Sequence, residues 1–138
     1  MAIPEAEQIN GVLGGFDRLY GLELLECSPE RVRARVAVRD ELKQPAGLVH
    51  GGVYASLGEA ITSLMTGMSV LEQGEVAMGQ ANATSFLRPI TEGHVNAEAT
   101  VQHRGRTTWV WDVRFSDDAG RLCALTRMTI AVRPLPRD

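Results

Sequence analysis

Cysteine is nearly absent from this chain. Only Cys27 and Cys123 occur, far apart and without C-x-x-C spacing. That argues against a disulfide framework, and both thiols are expected to be buried as small apolar groups. An excess of positive charge is also missing. The formal net charge is −3, so bulk charge points to neither nucleic acid nor a membrane as partner. No apolar run is clean enough to span a bilayer, because the longest is broken by Glu59 and by glycines. The first residues include Pro4, Glu5 and Glu7, which is no leader pattern, and a cytoplasmic location is expected. His94 and His103 have no third ligand at metal spacing. Internal repeats, low-complexity segments and linkers are lacking too. What remains is 138 residues, 44% hydrophobic and 22% charged. That is the size and composition of one domain, taken as 1–138.

One carboxylate stands out. The segment 53–70 contains a single charge, Glu59, inside an otherwise apolar helical pattern. A lone carboxylate on a buried helix must be solvated by a cavity, paired, or used. The pair Gly51-Gly52 precedes it and opens the helix, where free N–H groups can bind a developing negative charge. The two features together suggest acyl-transfer chemistry. From the residues alone, a structural ion pair of Glu59 with an arginine stays open, and so does a plain tight turn at the glycines.

The rest of the chain reads as strands. Residues 4–15 predict a short helix ending near Gly14-Gly15. Residues 22–27 predict a strand, and 31–39 alternate strictly, with Val32, Ala34, Val36 and Val38 on one face. A loop over 40–49 leads to the long helix over 50–71. Four more strands are predicted over 76–87, 94–104, 107–116 and 121–132. The segment Asp117-Asp118-Ala119-Gly120 is a hairpin connection, with Gly120 suited to positive φ. The economical arrangement is α+β: a curved antiparallel sheet wrapped around one long helix. Its edges and apolar faces favour oligomerisation.

These elements and motifs resemble the hotdog fold. The motif Gln44-x5-His50-Gly51-Gly52-x6-Glu59-x3-Ser63 resembles the glutamate-dependent hotdog acyl-CoA thioesterases, and within them the 4-hydroxybenzoyl-CoA thioesterase branch. Gly79-Gln80-x-Asn82, Arg88-Pro89 and Thr107-Thr108-Trp109-x-Trp111 agree with it. The resemblance covers residues 30–134, with 1–20 as an N-terminal helix and loop extension and 21–134 as the hotdog core. It implies Glu59 as the carboxylate that attacks the thioester carbonyl or activates water. Gly51 supplies the N–H that polarises this carbonyl, Gln44 helps hold the thioester, and Ser63 orients the carboxylate or water. His50 matches the motif histidine, whose expected job is to fix the helix start. Arg88 and Thr107 match positions of CoA contact, and Arg106, Gly52 and Asn82 are grouped with them. Acyl-CoA is the implied substrate, and no metal or redox cofactor is implied.

Geometry then constrains the assembly. Gly51 and Glu59 are eight residues apart, about 12 Å along a helix, yet both must approach one carbonyl closely. One helix cannot supply both. The expectation is a homo-oligomer with a dimer-shared site, Gly51 and Gln44 from one subunit and Glu59 and Ser63 from the other. By resemblance the assembly is a homotetramer. Glu59 and Ser63, four residues apart, are expected to share a helix face and hydrogen-bond. Ala46, Ala83 and Arg106 depart from the branch pattern and leave the acyl group open. Phenylacetyl-CoA, broader aryl or medium-chain acyl-CoA, and a non-catalytic acyl-CoA-binding module are the alternatives. Elsewhere, Arg31, Arg33 and Arg35 form a charged strand face, Asp117 and Asp118 are turn residues, and Arg88, Arg104 and Arg106 are candidates for phosphate recognition.

Overall fold

Alternating apolar residues build six strands, and every pair of neighbours is antiparallel. The structure, a computed structural model, describes residues 2–137. Strands β1 (Leu22–Cys27), β2 (Arg31–Ala37), β3 (Glu75–Phe86), β4 (His94–Arg104), β5 (Thr108–Ser116) and β6 (Leu122–Pro134) form one sheet. Their order is β1-β2-β4-β5-β6-β3, so β1 and β3 are the edges. Helix α3 (Gly51–Val70) lies across the sheet, mainly over β3 and β6. The predicted sheet around a central helix is therefore the observed fold. Met1 and Asp138, the ends of the expected 1–138 unit, lie outside the described residues.

The core forms where the strand faces meet α3. Val32, Val36, Val95, Val113, Phe115, Met128 and Ile130 are fully buried, as are Leu57, Ile61 and Met65 of the helix. The alternation read at β2 is thus the true inside–outside pattern, and β5 buries alternate residues in the same way. Trp111 is buried, and its Nε1–H donates to Thr66 Oγ1 at 2.9 Å. Leaving such a donor unpaired costs about 1–3 kcal/mol. Thr66 accepts while its own hydroxyl donates to the Thr62 carbonyl, so the polar pair enters the core satisfied. The arginine face is an ion-pair ladder: Arg35 meets Glu23, and Arg31 meets Glu26 and Glu98.

Two expectations change. The segment 4–15 holds α1 (Ala6–Asn10), but Gly15 starts α2 (Gly15–Tyr20) rather than ending a longer helix. Asn10 explains the early stop. Its side chain donates to the Leu24 carbonyl and accepts from the Leu24 N–H, both at 2.8 Å, which ties α1 to β1. Gly15 takes φ +58°, a backbone that a side chain would resist. The second change concerns α3, expected to be buried nearly all round. It buries one stripe, including Val53, Tyr54, Leu57, Gly58, Ile61, Thr62, Met65 and Thr66. Its other side, with Ser56, Ala60, Ser63, Leu64, Gly67 and Met68, is only half-buried, and Glu59 on it is exposed. Apart from Glu59, that outer side is apolar or small rather than charged.

Edge strand β3 carries a bulge between Gly79 and Ala81. The extra residue shifts the alternation by one. Ala77 and Gly79 point to α3 before it, and Asn82, Thr84 and Phe86 point inward after it.

Candidate functional site

Helix α3 begins at a built N-terminus. His50 is the N-cap, with extended backbone, and its Nδ1 accepts from the Gly52 N–H at 2.8 Å. An accepting Nδ1 places the ring proton on Nε2. The imidazole thus does the capping job usually done by Ser or Asp. Gly52 has its N–H consumed there. Gly51 is the first helical residue, and its N–H has no acceptor one turn back. Its lack of a side chain is required, because a Cβ would sit 2.9 Å from the Phe86 ring.

An apolar cleft of about 420 Å³ opens at this helix start. Gln44, Gly51, Tyr54, Phe86, Arg88 and Cys123 are among its lining residues. Gln44 sits in a turn closed by Gly47 at φ +86°, and its Oε1 accepts from the Ala46 N–H. The amide Nε2 is left to donate into the cleft. Tyr54 packs edge-on against Phe86 and Phe115, and burial pushes its phenol up to about 12. Burial likewise raises the Cys123 thiol, so Cys123 is wall rather than nucleophile. Arg88 brings the cation expected for phosphate.

Glu59 lies two turns along, away from that cleft. Within one chain it is exposed, not buried as the apolar run suggested, and its carboxylate end lies against Gly79 on β3. Its charge also reaches Tyr20 of α2. Burial, then Asp17, then Glu59 raise that phenol well above the usual tyrosine range. The expected hydrogen bond to Ser63 is not formed. Ser63 Oγ is buried with no hydrogen-bond partner among the described residues. The neighbouring Thr62 shows how a helix usually satisfies such a hydroxyl, donating back to the Gly58 carbonyl at 2.8 Å.

The structure separates the remaining candidates. Asn82 is occupied internally: its Nδ2 donates to the Ala55 carbonyl, and its Oδ1 accepts from Thr84. Arg106 and Thr107 lie at the other end of the sheet from Arg88. Phe86 pairs with Ala124 and Thr108 with Ala131, roughly 24 Å apart along β6 at strand rise. Thr107 uses its carbonyl to accept from Val132 and Arg133. Arg104 pairs with Glu30 and stacks on Trp109, which engages it away from the cleft. Asp117 accepts from the Ala119 and Arg121 backbone and from Arg121 Nε, so it organises the β5–β6 turn. Asp118 pairs with His94. Two residues of the family-like stretch that were assigned no role from sequence lie against the candidate residues: Gly79 against Glu59, and Phe86 against Gly51. A glycine inside a strand pattern signals close approach, and that signal was present at Gly79.

Comparison with known proteins gives the class. The sequence pattern of the thioesterase superfamily matches residues 46–124, more than half of the chain. The chain belongs to this superfamily, and it is an enzyme of the thioester hydrolase kind. It is 30% identical over 112 residues to the proofreading thioesterase EntH of Cronobacter turicensis, covering 81% of each protein. It is 29% identical over 119 residues to the 1,4-dihydroxy-2-naphthoyl-CoA hydrolase of Listeria monocytogenes, covering 86% of this chain and 96% of that one. The crystal structure of a variant of thioesterase PA1618 from Pseudomonas aeruginosa superposes with a TM-score of 0.90, at 33% identity and 96% coverage of both chains.

Proposed function

We propose that the chain hydrolyses an aromatic acyl-CoA, 4-hydroxybenzoyl-CoA foremost, to CoA and the free acid at a site shared by two copies. The observation that carries this reading is the way α3 rests on edge strand β3. Glu59 lies at Gly79 and Gly51 lies at Phe86. Consider β3 paired antiparallel with its own copy about a dyad between Asn82 and Ala83. Gly79 of one strand then faces Phe86 of the other. Glu59 from one copy meets the Gly51 N–H from the other, twice per dimer. The outer side of α3, half-buried and uncharged apart from Glu59, and the exposed Met78 and Phe86 of β3 with Leu87 just beyond it support such a contact. Two dimers would complete a homotetramer, acting in the cytoplasm.

The chemistry follows from this placement. The thioester oxygen takes the Gly51 N–H, helped by the positive end of the α3 dipole. Gln44 Nε2 donates beside it. Glu59 attacks the carbonyl carbon, the C–S bond breaks, and the CoA thiolate leaves and takes a proton from solvent. Water then opens the mixed anhydride to release the acid. The unpartnered Ser63 hydroxyl, one turn on, orients the carboxylate or that water. The general-base route differs only in that Glu59 takes a proton from the attacking water. Arg88 of one copy and Arg106 and Thr107 of the other approach one another under this pairing, which suits the phosphates of one CoA.

The small side chains of Ala46 and Ala83 favour a second reading, a broader aryl or medium-chain preference that includes phenylacetyl-CoA. The named relative that acts on a naphthoyl ester supports the aromatic class. Thiol release from 4-hydroxybenzoyl-, benzoyl-, phenylacetyl-, hexanoyl- and palmitoyl-CoA tests both, with wild type and Glu59→Gln. Glu59→Gln is expected to abolish release while keeping fold and assembly. Equal rates in the two proteins would remove Glu59 from the mechanism, and binding without release in wild type would leave an acyl-CoA-binding module.

A further inference from the structure

Gly79 has no side chain at the one place where the Glu59 carboxylate comes down on β3. A Cβ built there would collide with Glu59 Oε1, and it would stand 3.2 Å from Cδ and 3.4 Å from Cγ. Gly79 does not have positive φ, so the backbone does not demand glycine. The three heavy atoms nearest that Cβ all belong to Glu59.

The bulge at Gly79–Ala81 gives this contact a counterpart. By shifting the strand's phase it also aims Asn82 at α3. Asn82 Nδ2 donates to the Ala55 carbonyl at 2.9 Å. That carbonyl is the one that closes the helical turn ending at Glu59. Edge strand β3 therefore grips the carboxylate's turn at two points, a seat at Gly79 and a clamp at Asn82. Thr84 holds Asn82 Oδ1 at 2.7 Å and contacts Thr126 Oγ1, which fixes the clamp in the sheet.

We propose that Gly79 and Asn82 are positioning residues for Glu59, and that the β3 bulge exists at this point to present both. The proposal rests on the thioesterase reading of Glu59 given above. It moves Asn82 from substrate contact to support of the catalytic turn. Alanine at position 79 would meet the far end of a flexible side chain, so the fold accommodates it while the carboxylate swings away. Displacing a reacting group by about 1 Å costs up to about a hundredfold in rate.

The experiment measures kcat and KM for wild type, Gly79→Ala, Asn82→Ala and Glu59→Gln, with Tm and assembly mass alongside. Gly79→Ala is expected to lower kcat about ten- to a hundredfold with KM, Tm and mass unchanged. Asn82→Ala is expected to lower kcat without raising KM. A Gly79→Ala enzyme with wild-type kcat overturns the proposal while leaving Glu59 as the catalytic group. A raised KM with unchanged kcat in Asn82→Ala returns that residue to substrate binding. Wild-type turnover in Glu59→Gln sinks the underlying reading and the seat with it. If Gly79→Ala does not fold, Asn82→Ala and its kcat decide.

Discussion

Gly51 is constrained from two sides. Under the proposed mechanism its N–H is wanted free for an oxyanion, and its missing side chain makes room for Phe86, whose Cζ would lie 2.9 Å from an added Cβ. Gly51→Ala should therefore lose activity out of proportion to stability. Phe86 is 58% exposed and can yield, so the stability loss should sit near the low end of the usual overpacking range, about 1 kcal/mol. The displaced ring narrows the cleft where the thioester would lie. Thermal melts and kcat/KM on the same preparation check this, and Gly51→Ala with Phe86→Leu should recover part of the lost rate. At this scale the sequence was informative about identity and poor about surroundings. The spacing of Gln44, Gly51, Glu59 and Ser63 singled those residues out, and α3 carries the last three. It could not show that Ser63 Oγ lacks a partner, or that Asn82 is committed to Ala55, because both depend on which β3 residue faces the helix.

Turns and strands show how far local chemistry reaches. The β5–β6 connection was legible because its residues act locally. Gly120 takes φ +81°, and Asp117 gathers the backbone N–H groups of Ala119 and Arg121. Those N–H bonds, led by the one from Arg121, and then the Arg121 side chain hold the Asp117 carboxyl below its usual range. Its folded value is depressed, so its contribution to stability is complete above the unfolded carboxylate pKa of about 3.9. It is lost as pH falls through the lower folded value. Asp117→Asn should be less stable than wild type at neutral pH, and the gap should shrink as pH drops below about 4. Tm measured against pH for the two proteins would show it, and a gap constant with pH would contradict it. The two short N-terminal helices were not legible in the same way. Their division depends on Asn10 leaving α1 to bind Leu24 across a gap of fourteen residues, and no local pattern announces that.

At the scale of the whole molecule, a single chain leaves apolar surface uncovered. Its long helix keeps an apolar, half-buried side, and β3 shows a bare edge with Met78 53% and Phe86 58% exposed. The proposed pairing places Ala83 beside the dyad, so Ala83→Asp would bring two carboxylates together there. Like charges directly opposite destabilise a strand pair. This variant should shift toward monomer in sedimentation or light scattering, and turnover should fall with the dimer fraction. A monomer with full turnover would rule out a shared site.

The sequence by itself determined the elements and put forward the candidate site residues. Periodicity needs only neighbours in the chain, so the strands, the long helix and the uncharged stretch around Glu59 could be read from order alone. The family motif added the chemistry. Tertiary structure decided which groups meet. The β3 bulge sets which residues face α3, and that one-residue shift seats Glu59 on Gly79, clamps Ala55 with Asn82 and packs Phe86 on Gly51. Exposure of Glu59 was decided there too, because burial depends on what packs across from a helix face and not on the residues that compose it.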